Sequence, residues 1–295
     1  MSDSLKARPW NKVVIVGPGL IGASIGLALK RAGAATSIIG VSRRQSTLDE
    51  ACEVGAIDSG HLVLNHALPG ANAVIVCTPV GTIAEQVVRI AAILMETGDR
   101  TDALNACWIT DAGSSKASIV QSVEQTSTDI PFVGSHPIAG SEQSGPGAGR
   151  ADLYDGRMVI VTPTEHTPAE RLAEVESFWK CLGAQVRRMS PADHDRTLSA
   201  TSHLPHVVAT ALSVATSPQD LPFTGTGWGD TTRIAAGEPE MWCDILMDNQ
   251  VHVLNSLNDF EKKLSALRDA IERRDVEMLK HLLLEGKKQR DSLGS

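Results

Sequence analysis

The five cysteines of this chain (Cys52, Cys77, Cys107, Cys181 and Cys243) are odd in number, lie far apart and form no C-x-x-C. That argues against a disulfide frame and suits reduced, mostly buried thiols in a cytoplasmic protein. Positive charge is also scarce: 27 Lys and Arg face 35 Asp and Glu, a net charge of −8. Nucleic acid and anionic membrane surfaces are therefore poor partners. No uninterrupted apolar run reaches the ~18 residues of a membrane span. Lys6, Arg8 and Lys12 do precede an apolar run, but its glycine spacing and Pro18 fit a nucleotide turn better than an export signal. Internal repeats and low-complexity segments are missing too. What remains is an ordinary globular composition, 42% hydrophobic and 21% charged over 295 residues, long enough for two domains.

The most informative stretch starts at Val13-Val14-Ile15-Val16, which reads as a buried parallel strand. It runs into Gly17-Pro18-Gly19-Leu20-Ile21-Gly22 and then a helix over Ala23 to Arg31. In this G-x-G-x-x-G, Gly17 makes the tight turn, Gly19 lets the backbone approach a pyrophosphate, and Gly22 lets helix and strand pack closely. The pyrophosphate sits on the helix N-terminus, at Leu20 and Ile21, where N–H groups and the dipole favour negative charge. Ser37 to Val41 reads as the second strand. An NAD site places Asp or Glu just beyond it; here stand Ser42-Arg43-Arg44-Gln45-Ser46-Thr47. Two guanidinium forks and hydroxyls such as Ser42 and Ser46 suit a 2′-phosphate, so the expected cofactor is NADP, with NAD possible. A solvated basic turn is the plain alternative. Thr78-Pro79, ending a strand over Ala73 to Cys77, joins the expected cofactor set.

The first half alternates strands and helices. A helical pattern runs to Met95, Trp108 to Thr110 is a strand, and Phe132-Val133-Gly134-Ser135 leads into His136-Pro137. Met158 to Pro163 is a strand, Pro168 to Leu182 a helix and Gln185 to Met189 a last strand. This predicts an α/β, Rossmann-type, doubly wound parallel sheet over 1–189, with ligands at the strand C-terminal ends. Beyond Ser190 to Asp195 the strand signals stop, and 190–295 reads as all-helical: Asp193 to Ser213, Glu238 to Leu257, then a charged helix pair from Glu261 to Arg290. Such a domain often completes its core against a second copy, so a homodimer through these helices is expected. Gly140 to Gly149, with four glycines in ten residues, suggests a mobile active-site loop.

Polar groups gather in Asp111 to Lys116, in Gly134-Ser135-His136-Pro137-Ile138-Ala139-Gly140-Ser141-Glu142, in Ser202-His203-Leu204-Pro205-His206, and in Gly229-Asp230-Thr231-Thr232-Arg233 with the following Pro239 to Trp242. Taken singly, each has a plain reading. His136 could be a buried turn histidine, His203 and His206 a core or weak metal pair, Arg233 a partner of Asp230, and Ser114 a helix cap. No third ligand is spaced for a metal, and none is expected. In this order, from the nucleotide turn to Trp242, they resemble the prephenate/arogenate dehydrogenase family, and Gly40-Val41-Ser42-Arg43-Arg44 looks like the turn of its NADP-using members.

That resemblance implies oxidative decarboxylation. Hydride leaves the hydroxyl-bearing ring carbon for the nicotinamide, and carbon dioxide leaves the opposite side as the ring aromatises. Prephenate gives 4-hydroxyphenylpyruvate; arogenate gives tyrosine. His136 matches the family's catalytic base, and Ser114 the serine sharing the substrate hydroxyl. Arg233 and His206 are candidates for the two carboxylates, with Ser141 and Glu142 beside them. His206 favours prephenate, while Glu142 suits the arogenate ammonium; prephenate is the expectation. The end of the chain near Ser295 leaves no room for an appended regulatory domain, so tyrosine feedback would act at the active site. The rivals are a 3-hydroxyacid or imine-reducing dehydrogenase, which leans on a lysine in the helical domain, and a non-catalytic NADP-binding sensor.

Overall fold

The computed structural model describes residues 10–97, 106–140 and 143–294. Eight strands form one sheet in the order β3-β2-β1-β4-β5-β6-β7-β8: β1 Trp10–Val16, β2 Ala35–Val41, β3 Ser59–His61, β4 Ala73–Val76, β5 Trp108–Asp111, β6 Phe132–Pro137, β7 Met158–Thr162 and β8 Gln185–Arg188. The helices between them are α1 Leu20–Ala32, α2 Gln45–Glu53, α3 Leu64–Ala67, α4 Val80–Thr97, α5 Ala117–Thr126 and α6 Ala169–Cys181.

The four apolar residues expected in the first strand serve two cores. Val14 and Val16 pack on one face with α3, α4 and α5, while Val13 and Ile15 pack on the other with α1 and α6. Alternate side chains point to opposite faces, so a strand covered on both sides must be apolar throughout. On the second face Trp10, Trp108 and Phe178 meet edge to face, with centroids 5.2–6.2 Å apart.

The sheet is parallel with one correction: β7 runs antiparallel to β6, with His136 opposite Ile160. A parallel neighbour needs a crossover, usually a helix. Here the described residues between β6 and β7 hold only a short 3-10 turn, Pro146–Ala148, and the chain comes back reversed.

After β8 the chain is helical, though not in the lengths expected. Asp193 to Ser213 divides into α7 Pro191–Leu198, a π turn Ser199–His203, and α8 Leu204–Ala215. Pro205 explains the wide turn, because its ring crowds the carbonyl four residues back. Helix α9 spans Thr226–Thr232. The single helix expected over Glu238 to Leu257 is two, α10 Pro239–Asp248 and α11 Gln250–Glu272, followed by α12 Val276–Asp291. Asn249 makes that break: it is buried, and its Nδ2 donates to the Asp195 carbonyl at 2.7 Å.

Candidate active site

The carboxyl ends of β1, β2, β4, β5 and β6 share one edge of the sheet. Gly17 N–H donates to Val41 O at 2.8 Å and Cys77 N–H to Val16 O at 2.7 Å, which draws the ends of β2, β1 and β4 together. Gly17 has φ +86°, and a Cβ there would lie 2.7 Å from Cys77 O and 3.2 Å from Thr78 Cγ2. At Gly22 a Cβ would come within 2.5 Å of Gly17 O. Both glycines therefore do what the motif required. Gly19 is different: a Cβ would meet nothing within 4 Å. It stands at the N-terminus of α1 with no side-chain cap, so open space lies over amides that a pyrophosphate would use. The residues present fit a dinucleotide.

Ser42, Arg43, Arg44 and Ser46 follow β2 at the same edge. Arg43, Arg44 and Ser46 are exposed, and Arg44 N–H donates to Ser42 Oγ at 3.2 Å. Thr78 is half-buried below Gly17 and accepts from Thr82 Oγ1 at 2.9 Å; Pro79 is exposed beside it.

At the end of β6, half-buried His136 places Nδ1 2.9 Å from Nε2 of His194, whose Nδ1 is 2.7 Å from Asp195 Oδ1. Asp195 also accepts the Lys116 and Ala117 amides, both at 2.8 Å, from the start of α5. Burial works against its charge, but His194 and these amides outweigh it and hold Asp195 below the usual carboxylate range. An ionised carboxylate only accepts, so His194 Nδ1 donates to it. His194 is neutral, since burial pushes its pKa down, and its Nε2 then accepts from His136 Nδ1–H. His136 Nε2 keeps its lone pair. Burial first, then the neighbouring His194, Lys116 and His203, push the His136 pKa well below its ordinary value.

Asp111, at the end of β5, braces both flanks of this arrangement. Its Oδ2 accepts Gly113 N–H at 2.8 Å, next to half-buried Ser114, and its Oδ1 accepts Ser135 N–H at 3.0 Å, next to His136. Lys116, fully buried, forms an ion pair with Asp111 and donates to Ser135 O at 3.1 Å.

The residues expected on the substrate side lie in the helical region. His206 is buried on α8 and stacks on Trp242 of α10, with centroids 3.6 Å apart and planes 10° from parallel. Gly237 makes room, since a Cβ there would lie 2.4 Å from Trp242 Nε1. Burial lowers the His206 pKa against the Ile234 backbone, which raises it. His206 Nδ1 is buried with no hydrogen-bond partner among the described residues, an atom that calls for a ligand. Arg233, exposed, begins the turn Arg233–Ala236 that leads to Gly237. His203 is buried instead, with Nδ1 3.2 Å from Asn249 Nδ2. Ser141 and Glu142 lie outside the described residues. From Gln143 onward the glycine-rich segment is tied down: Glu50 accepts Gly147 N–H at 3.0 Å, and Ser24 Oγ accepts Arg150 N–H at 3.0 Å. Among the described residues no cluster of three or more His, Cys, Asp or Glu could hold a metal ion.

Comparison with known proteins decides the family. Residues 25–188 match the model of the prephenate dehydrogenase nucleotide-binding domain, and residues 190–285 that of the prephenate dehydrogenase dimerization domain. The chain belongs to the prephenate dehydrogenase family. It is 32% identical over 291 residues to a cyclohexadienyl dehydrogenase of Zymomonas mobilis, covering 96% of both chains. A crystal structure of prephenate dehydrogenase from Aquifex aeolicus, in complex with hydroxyphenyl propionate and NAD+, superposes with a TM-score of 0.86 at 34% identity, over 98% of this chain and 100% of that one. A Synechocystis arogenate dehydrogenase superposes with a TM-score of 0.78 at 31% identity, over 96% and 99%. The rival dehydrogenase and sensor classes fall away with this membership.

Sequence reasoning missed His194, Asp195, Asp111 and Asn249. Asp111 stood in a motif already singled out, where a buried carboxylate at a strand end was the available signal. His194-Asp195 carried none, because its partner His136 is 58 residues away.

Proposed function

We propose that this chain oxidises and decarboxylates prephenate to 4-hydroxyphenylpyruvate with NADP, as a cytoplasmic homodimer of two-domain subunits divided at 189/190. The observation that carries the reading is the His136–His194–Asp195 chain, which leaves a neutral His136 Nε2 as a base. Loss of hydride from the hydroxyl-bearing ring carbon leaves a protonated carbonyl, and His136 Nε2 takes that proton. Ser114 shares the substrate hydroxyl. Gly17, Gly19, Leu20, Ile21, Gly22, Thr78 and Pro79 would hold the dinucleotide, which would supply the hydride acceptor. Carbon dioxide departs from the opposite side of the ring as aromaticity is gained.

Arg233 clamps one substrate carboxylate through its fork, and His206 lies toward the other, with Ser141 and Glu142 next to it. Ser42, Arg43, Arg44 and Ser46 hold the 2′-phosphate. No acid stands among them, the nearest on α2 being Asp49, which accepts from Gln45 at 2.8 Å. Apolar side chains left in water in the helical region, including Val214 (82% exposed) and Phe223 (87%), support pairing with a second copy. No helix among the described residues is long and apolar enough to cross a membrane.

Arogenate is the second reading, and one observation favours it: neutral His206 presents a buried, unpartnered Nδ1. A lone pair there suits the arogenate ammonium. The test is reduced-nicotinamide formation by purified protein with prephenate or arogenate, each against NADP and NAD. Fastest turnover with prephenate and NADP is expected. Faster turnover with arogenate selects the second reading, and no turnover in any pairing overturns both.

A further inference from the structure

Two carboxylates of the helical region close on one short segment of the sheet region. Asp195 takes the Lys116 and Ala117 amides and belongs to the histidine chain. Asp248 has no part in the reaction described so far. Its Oδ2 accepts Ser118 Oγ at 2.6 Å and also Ser115 Oγ, so the hydroxyls on both sides of Lys116 converge on one oxygen. Ser115 is completely buried and directly follows Ser114.

Ser114 sits in a stretch without regular structure, between β5 and α5. Asp111 holds the residue before it through Gly113 N–H, at 2.8 Å, and Asp248 holds the residue after it. Asp248 is also the last residue of α10, which carries Trp242 near its other end. Six residues at 1.5 Å each separate the two by ~9 Å along one rigid helix. Ile245, between them, is buried in the core that α4 also lines. One end of α10 thus stacks Trp242 on His206, and the other grips the Ser114 loop.

We propose that Asp248 is a positioning residue for hydride transfer, setting the offset between the Ser114 loop and the His206–Trp242 wall. This rests on the reading of Ser114 and His206 as substrate contacts. Misplacement by about 1 Å far from the chemistry can cost roughly 100-fold in rate, and a strut that fixes this offset has that leverage. An ordinary helix cap at α5 would act on stability alone.

The experiment compares Asp248→Ala and Asp248→Asn in the full chain, with prephenate and NADP. Asp248→Ala is expected to lose roughly 10- to 100-fold in kcat and in single-turnover hydride transfer, with the Kd for NADP within about 2-fold of wild type. Asp248→Asn keeps an acceptor oxygen for the two hydroxyls and recovers most of the rate. Ser115→Ala/Ser118→Ala reproduces the loss, and Asp248→Ala added to it costs nothing more. If Asp248→Ala does not fold, the serine pair carries the same test. A lower Tm with unchanged kcat in the folded variant overturns the proposal. Wild-type enzyme that turns over neither acid defeats the reaction itself, whereas an active wild type matched by its variants defeats only this role for Asp248.

Discussion

His136 Nδ1 lies 2.9 Å from His194 Nε2, and that contact decides which nitrogen of His136 is left for a substrate. Because the chain ends on a charged Asp195, every proton in it points one way. The proposed base is thereby set in one tautomer by a carboxylate two hydrogen-bond links away.

The first prediction follows from that polarity. In Asp195→Asn the amide can face His194 Nδ1 as a donor, which reverses both imidazoles and puts a proton on His136 Nε2. The kcat should fall by about 10²–10⁴, the range a positioned base contributes, while NADP binding stays unchanged. Steady-state kinetics and a titration of cofactor binding check it. Unaltered kcat would show that the chain does not set the tautomer.

Cofactor choice is assigned to the turn after β2. Charge-assisted hydrogen bonds are worth about 1.5–3 kcal/mol each. Arg43→Ala/Arg44→Ala should therefore lower kcat/KM for NADP by roughly 100-fold, with NAD changed by less than about 3-fold. Equal losses with both cofactors would mean that the arginines do not read the 2′-phosphate.

Buried histidines make stability depend on pH. Burial pushes the His203 pKa down to about 4, whereas an unfolded histidine titrates near 6.5. Between these values the unfolded chain binds more protons, so stability rises with pH and is lost as pH falls from about 6.5 toward 4. His203→Gln, which can still accept from Asn249, should flatten part of that slope in Tm measured across this range. An unchanged slope would remove His203 from the account.

The doubly apolar β1 and the glycine turn were legible because their causes are local: alternation across a pleat, and steric limits at Gly17 and Gly22. The histidine, serine and arginine positions came from motif order. What escaped depends on distant partners or on small changes in helix geometry. Asn249 divides an apparently continuous helix because its side chain is drawn to Asp195, 54 residues earlier. The π turn before Pro205 is invisible to a 3.6-residue period. Antiparallel β7 needed the knowledge that no helix forms in the described part of the connection before it. Asp195 reads as a surface helix residue until α5, 79 residues back, is brought to it.

The most direct measurement is the pH profile of prephenate oxidation by wild type and His136→Asn side by side. Wild-type turnover should show an acid limb in kcat/KM below 6.5, the ordinary histidine value, because burial pushes the His136 pKa down. Activity is lost as pH falls through that lowered pKa and Nε2 is protonated. In His136→Asn, kcat should drop about 10²–10⁴ and that limb should vanish. A variant that matches wild type in rate and profile would contradict the assignment of His136 as the base.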